Sequence, residues 1–232
     1  MRQCKTNLEF QKTFCYPFLH NLVSKCSDGM SMDCTAIQGD THPHTFITNH
    51  RDIVLDSALL SVLLVDNGQN TVEIAIGDNL LIFPWIKKLV RINKSFIVQR
   101  ALTMRQMLAS SVRMSRYMHF AISEKNENIW IAQREGRAKD SNDRTQESLI
   151  KMFALSGKAD FIENLKSLNL APLSISYEFD PCDYLKAAEF QLKRDNADYK
   201  KSKNDDLLSM QTGITGYKGR IHYAYTPCIN PK

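Results

Sequence analysis

The sequence predicts an α/β fold, a central mixed, largely parallel β-sheet flanked by helices. Three observations predict it. Short β-branched and aromatic runs alternate with stretches of helical periodicity along most of the chain. At 232 residues the chain can form one domain with a full core, so residues 1–232 are read as a single domain. A hydrophobic content of 43% is ordinary for a globular protein, and no run approaches the ~18 apolar residues a membrane-spanning helix needs.

Each element has its own signal. Residues 7–25 place Leu8, Phe10, Phe14, Phe18 and Leu22 at near-helical spacing, with Pro17 expected to kink or restart the helix. After the turn at Asp28-Gly29, residues 30–37 and 45–48 read as two strands of a hairpin across the loop 39–43. The Leu-rich run 57–65 is a helix stopped by Asp66-Asn67-Gly68, and 71–76 is a strand ending at Gly77-Asp78. Residues 80–91 read as a short helix docked on the core. The alternative is an interfacial patch in which Trp85 anchors and Lys87, Lys88 and Arg91 meet lipid phosphates.

Further on, 96–98 reads as a buried strand, and 103–123 is the longest helix, its methionines filling core gaps. Residues 128–132 form a strand, 133–144 a polar loop, 145–155 and 161–168 two helices, and 171–178 another strand. From 183 the chain turns charged, and 191–206 reads as solvated helix faces and loop. Gly213, Gly216 and Gly219 lack the Walker spacing, so they are expected to turn into a strand over 220–225.

A net charge of +5 is modest and spread along the sequence, which does not point to nucleic acid and suits anionic phosphates or an anionic membrane surface equally. Six cysteines without a Cys-x-x-Cys pair, and no secretory signal, fit reduced thiols in the cytoplasm. His42 and His44 flank Pro43, with Cys34 and His50 nearby. No ligand spacing among them matches a zinc pattern, so no metal is expected.

The chemistry is placed in 46–60, around His50, between the strand 45–48 and the helix that follows. An imidazole titrates near neutral pH, and a carboxylate on one ring nitrogen leaves the other to accept a proton, so His50 with Asp52 or Asp56 has the parts of a general base and its orienter. The same residues also fit a structural His beside an Asp helix cap.

Asn49-His50-Arg51-Asp52-Ile53-Val54-Leu55-Asp56 resembles the first block of the glycerol-phosphate and lysophosphatidate acyltransferases, a His followed by four residues and an Asp. Here one extra residue separates His50 from Asp56, the Asp that the apolar helix follows. Lys94-Ser95-Phe96-Ile97-Val98-Gln99-Arg100 is similar to the second block, Ile131-Ala132-Gln133-Arg134-Glu135-Gly136-Arg137 to the third, and Ala171-Pro172-Leu173 to the fourth. All four stand in family order, over a motif core of about 44–180, with 181–232 as a C-terminal extension. The wording around 49–60 and 130–145 resembles a bacterial group of glycerol acyltransferases whose members run longer at the amino end, which implies a truncated chain.

The resemblance implies a glycerol-phosphate acyltransferase-like fold. It also implies transfer of a fatty acyl group from acyl-CoA or acyl-carrier protein, as co-substrate with no other cofactor, to a hydroxyl of a glycerol-phosphate or lysophospholipid acceptor. His50 would be the base and Asp56 or Asp52 its orienter; Arg100 and Arg137 would hold the phosphate, Glu135 an acceptor hydroxyl or an arginine, and Gly136 would let the backbone approach the substrate. Arg134, Lys139 and Arg144 are further candidates. The enzyme would be cytoplasmic, meeting its lipid at the inner face of the membrane. Two alternatives stand beside this: an O-acyltransferase of an acylated amino-acid lipid, and a lipid-binding relative without turnover.

Overall fold

The structure is a computed structural model and describes residues 4–229 other than 38, 82, 101, 141 and 158, with every side chain among them but that of Lys203. Seven strands form one sheet: β1 (Met30–Asp33), β2 (Thr45–Thr48), β3 (Val72–Gly77), β4 (Ser95–Val98), β5 (Asn128–Ala132), β6 (Leu170–Tyr177) and β7 (Ile221–Tyr225), in the spatial order β1-β7-β6-β2-β5-β3-β4. Every neighbouring pair is parallel except β6 and β7, which are antiparallel. The mixed, largely parallel sheet expected from the sequence is therefore present.

The expected hairpin is not. β1 pairs in parallel with β7, Met30 opposite Ile221, and β7 and β6 stand between it and β2. Burial explains the difference. All four residues of β2 are buried, as a strand covered on both faces must be, whereas β1 alternates between half-buried and exposed positions, as an edge strand does. β2 takes its partners from β5 and β6 instead. The strand at 96–98, expected to be buried, is β4 at the opposite edge, and all its residues are only half-buried.

The amino-terminal helices α1 (Asn7–Phe10) and α2 (Tyr16–Cys26) are joined by a π-turn over Gln11–Cys15, in which Tyr16 N–H reaches back to Gln11 O. Pro17 has no N–H to give, and its ring would strike the carbonyl four residues back. The wider turn lets the helix pass it without breaking. α3 (Leu55–Asp66) packs with α2 on one face of the sheet, where Leu19, Leu59 and Leu63 meet Phe46, Ile74 and Trp130. α5 (Met104–Ser123) and α6 (Glu147–Phe153) cover the other face, where Met118, Ile122 and Phe153 meet Ile47, Ile129 and Ile131. Of the α5 methionines, Met118 is fully buried, but Met104 and Met107 are exposed rather than core-filling.

α4 (Pro84–Ile92) has no buried residue; Ile82, in the apolar run before it, lies outside the described residues. α7 (Phe161–Ser167) leads into β6, and α8 (Asp183–Asp195) and α9 (Lys203–Thr215) follow it. The stretch 181–232, expected as an extension, thus supplies β7 to the interior of the sheet.

Candidate active site

β2 and β5 are neighbours, yet the chain leaves β2 for α3 on one face and β5 for α6 on the other. Connections that diverge in this way open a crevice at the carboxyl ends of two parallel strands, where open α/β sheets place their ligands. His50 lies at that end of the sheet, two residues beyond β2, and lines neither of the two cavities described below.

Its placement is over-determined. The Asn49 side chain donates to Ile175 O at 2.9 Å and accepts from Ile175 N at 2.7 Å, extending the pairing with β6 by one side-chain amide. His50 N donates to Asp143 Oδ2 at 2.8 Å, which ties it to the loop after β5. Lys186 of α8 donates to Arg51 O at 2.9 Å.

Asp56 is the second residue of α3, and its Oδ2 lies 2.8 Å from His50 Nδ1. The same carboxylate accepts from Arg51 N at 2.7 Å, from Asp52 N at 3.1 Å and from the Tyr177 hydroxyl at 3.2 Å, while the Tyr223 hydroxyl donates to Asp56 O at 2.8 Å. A helix N-terminus favours the negative charge there. With the carboxylate accepting from all sides, Nδ1 is the protonated ring nitrogen, and Nε2, which has no hydrogen-bond partner among the described residues, presents its lone pair. The ring is 14% exposed and meets Trp130 edge-on at a centroid distance of 5.8 Å.

Asp52 does not touch the imidazole. Its Oδ1 accepts from Val54 N and Leu55 N, both at 2.8 Å, and so caps the start of α3. The carboxylate that contacts the imidazole and the carboxylate that caps the helix are thus two different residues. Burial, reinforced by the charge of Asp56, pushes the Asp52 carboxyl up from its ordinary range. Gly213 of α9 presses against it: a Cβ at that position would lie 1.9 Å from Asp52 Oδ2.

The loop after β5 carries the other candidates. Gly136 adopts φ +70°, which favours glycine, and the space in front of it is open. Glu135 forms an ion pair with Arg100, whose backbone N donates to Asp78 Oδ1 at 3.2 Å. Arg137 is buried, with Nη1 unpartnered among the described residues, and its positive charge acts on Asp52. A cavity of about 550 Å³ is lined by Arg134, Arg137, Lys139, Arg144 and Lys193 together with Glu135 and Asp140. Burial holds the Lys139 ammonium below its usual value. A second cavity, of about 300 Å³, has apolar walls including Val98, Met107, Met114, Ile131, Leu149 and Met152, with Arg100, Arg134 and Glu135 also lining it. Arg100 and Arg137 therefore line different cavities, which share the side chains of Arg134 and Glu135.

Tyr177, Tyr223, Asp143 and Lys186 surround His50, Asp52 and Asp56 without having been singled out in the sequence, and Gly213 was read there only as part of a turn. Tyr177 alone had a usable signal, as the polar-tipped aromatic at the carboxyl end of a predicted strand.

No protein-family model and no curated protein matches the sequence. Among solved structures, the 1-acyl-sn-glycerophosphate (LPA) acyltransferase PlsC from Thermotoga maritima is similar over 96% of this chain and 70% of that one, with a TM-score of 0.52 and 11% sequence identity. At that identity the likeness is one of fold, and the chain shares the α/β fold of that acyltransferase.

Proposed function

We propose that this protein is an acyltransferase that moves a fatty acyl group from acyl-CoA or acyl-carrier protein to a hydroxyl of a glycerol-phosphate or lysophosphatidate-type acceptor. The observation that carries the reading is the His50–Asp56 contact at the carboxyl end of β2, in a fold shared with an LPA acyltransferase. Asp56 holds the Nδ1 proton, so Nε2 takes the proton from the acceptor hydroxyl as its oxygen attacks the thioester carbonyl. The C–O bond forms, the C–S bond breaks, and the imidazolium returns the proton to the departing sulfur. Such proton transfer contributes roughly 10²–10⁴-fold in rate. No covalent acyl-enzyme is formed.

The basic cavity around Arg137 and Arg134 seats the acceptor phosphate, since guanidinium groups match phosphate oxygens in pairs. Arg100, fixed by Glu135, borders the apolar cavity that receives the acyl chain. The concentration of cations favours a phosphate acceptor over an acylated amino acid. Purified protein incubated with labelled acyl-CoA and a panel of lyso-acceptors is expected to acylate a phosphate-bearing glycerolipid, and His50→Ala to lose at least about 10² of that rate. Undiminished transfer by His50→Ala would refute the reading.

The enzyme meets its lipid at a membrane surface. No helix among the described residues is long and apolar enough to cross one. α4 instead exposes Trp85, Leu89 and Ile92, with Phe83 stacked on Trp85, beside Lys87, Lys88 and Arg91. Aromatic anchors with basic neighbours suit an anionic interface. Trp85→Glu should sharply reduce co-sedimentation with anionic vesicles, and equal sedimentation of both forms would exclude this face.

A further inference from the structure

At the end of β2 opposite His50, three side chains of ligand type converge. Asp40 follows the 3-10 turn Thr35–Ile37, and His44 immediately precedes β2. Cys228 lies beyond β7, where Ile229 N donates to Leu170 O at 2.9 Å and holds the chain against the start of β6. One carboxylate oxygen, one imidazole nitrogen and the Sγ lie within 4.8 Å of one another. Cys34, His42 and His50, the other residues considered for a metal in the sequence, do not belong to this group.

His44 is buried, and its Nε2 makes no well-aligned hydrogen bond among the described residues, although it lies within ion-pair distance of Asp40 Oδ2 at 3.3 Å. Buried polar atoms are seldom left unpaired, and here a carboxylate is adjacent but misaligned for a hydrogen bond. The separation fits another arrangement. Bonds of ~2.0–2.1 Å from a tetrahedral zinc-type ion to a nitrogen and an oxygen put those two atoms ~3.3–3.4 Å apart.

Both residues are also held from behind. Asp40 Oδ1 accepts from His42 N at 2.9 Å and lies 2.7 Å from His42 Nδ1, leaving Oδ2 turned toward His44. His44 N donates to Asn128 Oδ1 at 2.9 Å, and its ring stacks on Phe46. Outer contacts of this kind orient ligands around metals.

We propose that Asp40, His44 and Cys228 bind a divalent transition-metal ion of the zinc class, with water in the fourth position. The carboxylate and thiolate balance its charge, and a borderline-soft ion accepts oxygen, nitrogen and sulfur together. A thiol binds the ion only as thiolate, so the ion enters by displacing the proton of Cys228. At ~3.3 Å per residue along β2 the site lies roughly 20 Å from His50, and its effect is to fasten the segment after β7 to the loop before β2.

The test uses the full chain, freed of metal by a chelator and titrated with Co²⁺ and then Zn²⁺. One equivalent of Co²⁺ should give a thiolate-to-cobalt charge-transfer band with tetrahedral d–d bands, which Zn²⁺ then bleaches while raising Tm. Cys228→Ser should abolish the charge-transfer band, and Asp40→Asn should weaken Zn²⁺ binding at least about 10-fold. Both positions are partly exposed, so the variants are expected to fold, as circular dichroism would verify. Absence of the band in the full chain, or its persistence in Cys228→Ser, overturns the proposal.

Discussion

The two ends of β2 carry the same pair of residue types in opposite states. At the carboxyl end, His50 Nδ1 and Asp56 Oδ2 are 2.8 Å apart and hydrogen-bonded. At the amino end, His44 Nε2 and Asp40 Oδ2 are 3.3 Å apart and not hydrogen-bonded. The first carboxylate is surrounded by backbone N–H groups and a tyrosine that fix it against one ring nitrogen and leave the other to accept. The second is drawn aside by His42, and Cys228 completes the group. A histidine beside an aspartate is therefore not one device, because the donors behind the carboxylate decide whether it is held against the ring or turned from it.

The largest effect expected from this contrast is on transfer itself. Asp56→Asn should lower the acyl-transfer rate by at least about 10²-fold, because an amide no longer fixes the imidazole with its proton on Nδ1. Asp40→Asn, at the other end, should leave the rate unchanged. Single-turnover rates measured on both variants separate the ends, and equal losses would erase the distinction drawn here.

An intermediate effect is expected on stability. In Gly213→Ala the added methyl would collide with Asp52 Oδ2, and only part of the strain is returned by the better helix propensity of alanine. A loss of about 1–3 kcal/mol is expected, as for other insertions into packed sites. An unchanged urea midpoint would show that α9 does not press on the base of the site.

The smallest effect is a slope with pH. Burial and Asp56 raise the Asp52 carboxyl, so the folded chain holds that proton to higher pH than the unfolded chain does. Its contribution to stability is fully present below the ordinary carboxylate range, falls as pH rises toward the raised value, and is constant above it. Asp52→Asn keeps a cap for α3 without the charge, so its stability relative to the parent should increase across that window. Urea midpoints measured from acid to neutral pH would expose a flat difference if the carboxyl is not raised.

Much of this was legible in the residues. Alternating periodicities gave the α/β class, and the run from Asn49 to the Leu-rich α3 located the His50 end of β2 and both its carboxylates. Partners distant in sequence were not legible. Nothing local in Met30–Asp33 names Ile221–Tyr225 as its neighbour, and the run 30–37, of which only the first four residues are strand, reads with the loop after it as half of a hairpin whether or not it is one. Tyr223 on Asp56, Gly213 on Asp52 and Cys228 beside His44 are likewise contacts between segments that become neighbours only through the sheet order. Nor was it legible that Lys186, in a stretch that turns charged, is buried with its ammonium on Arg51 O.

The insertion of β7 between β1 and β6 has a consequence for how the molecule is made. On the ribosome, β1 emerges well before β7, and must wait for every strand that lies between them in sequence before this partner can pair with it. Tyr223 arrives in that later strand, so the hydroxyl that steadies Asp56 is delivered long after the aspartate itself. A nascent chain halted before residue 221 would carry His50 and Asp56 yet leave a bare strand edge open to other chains.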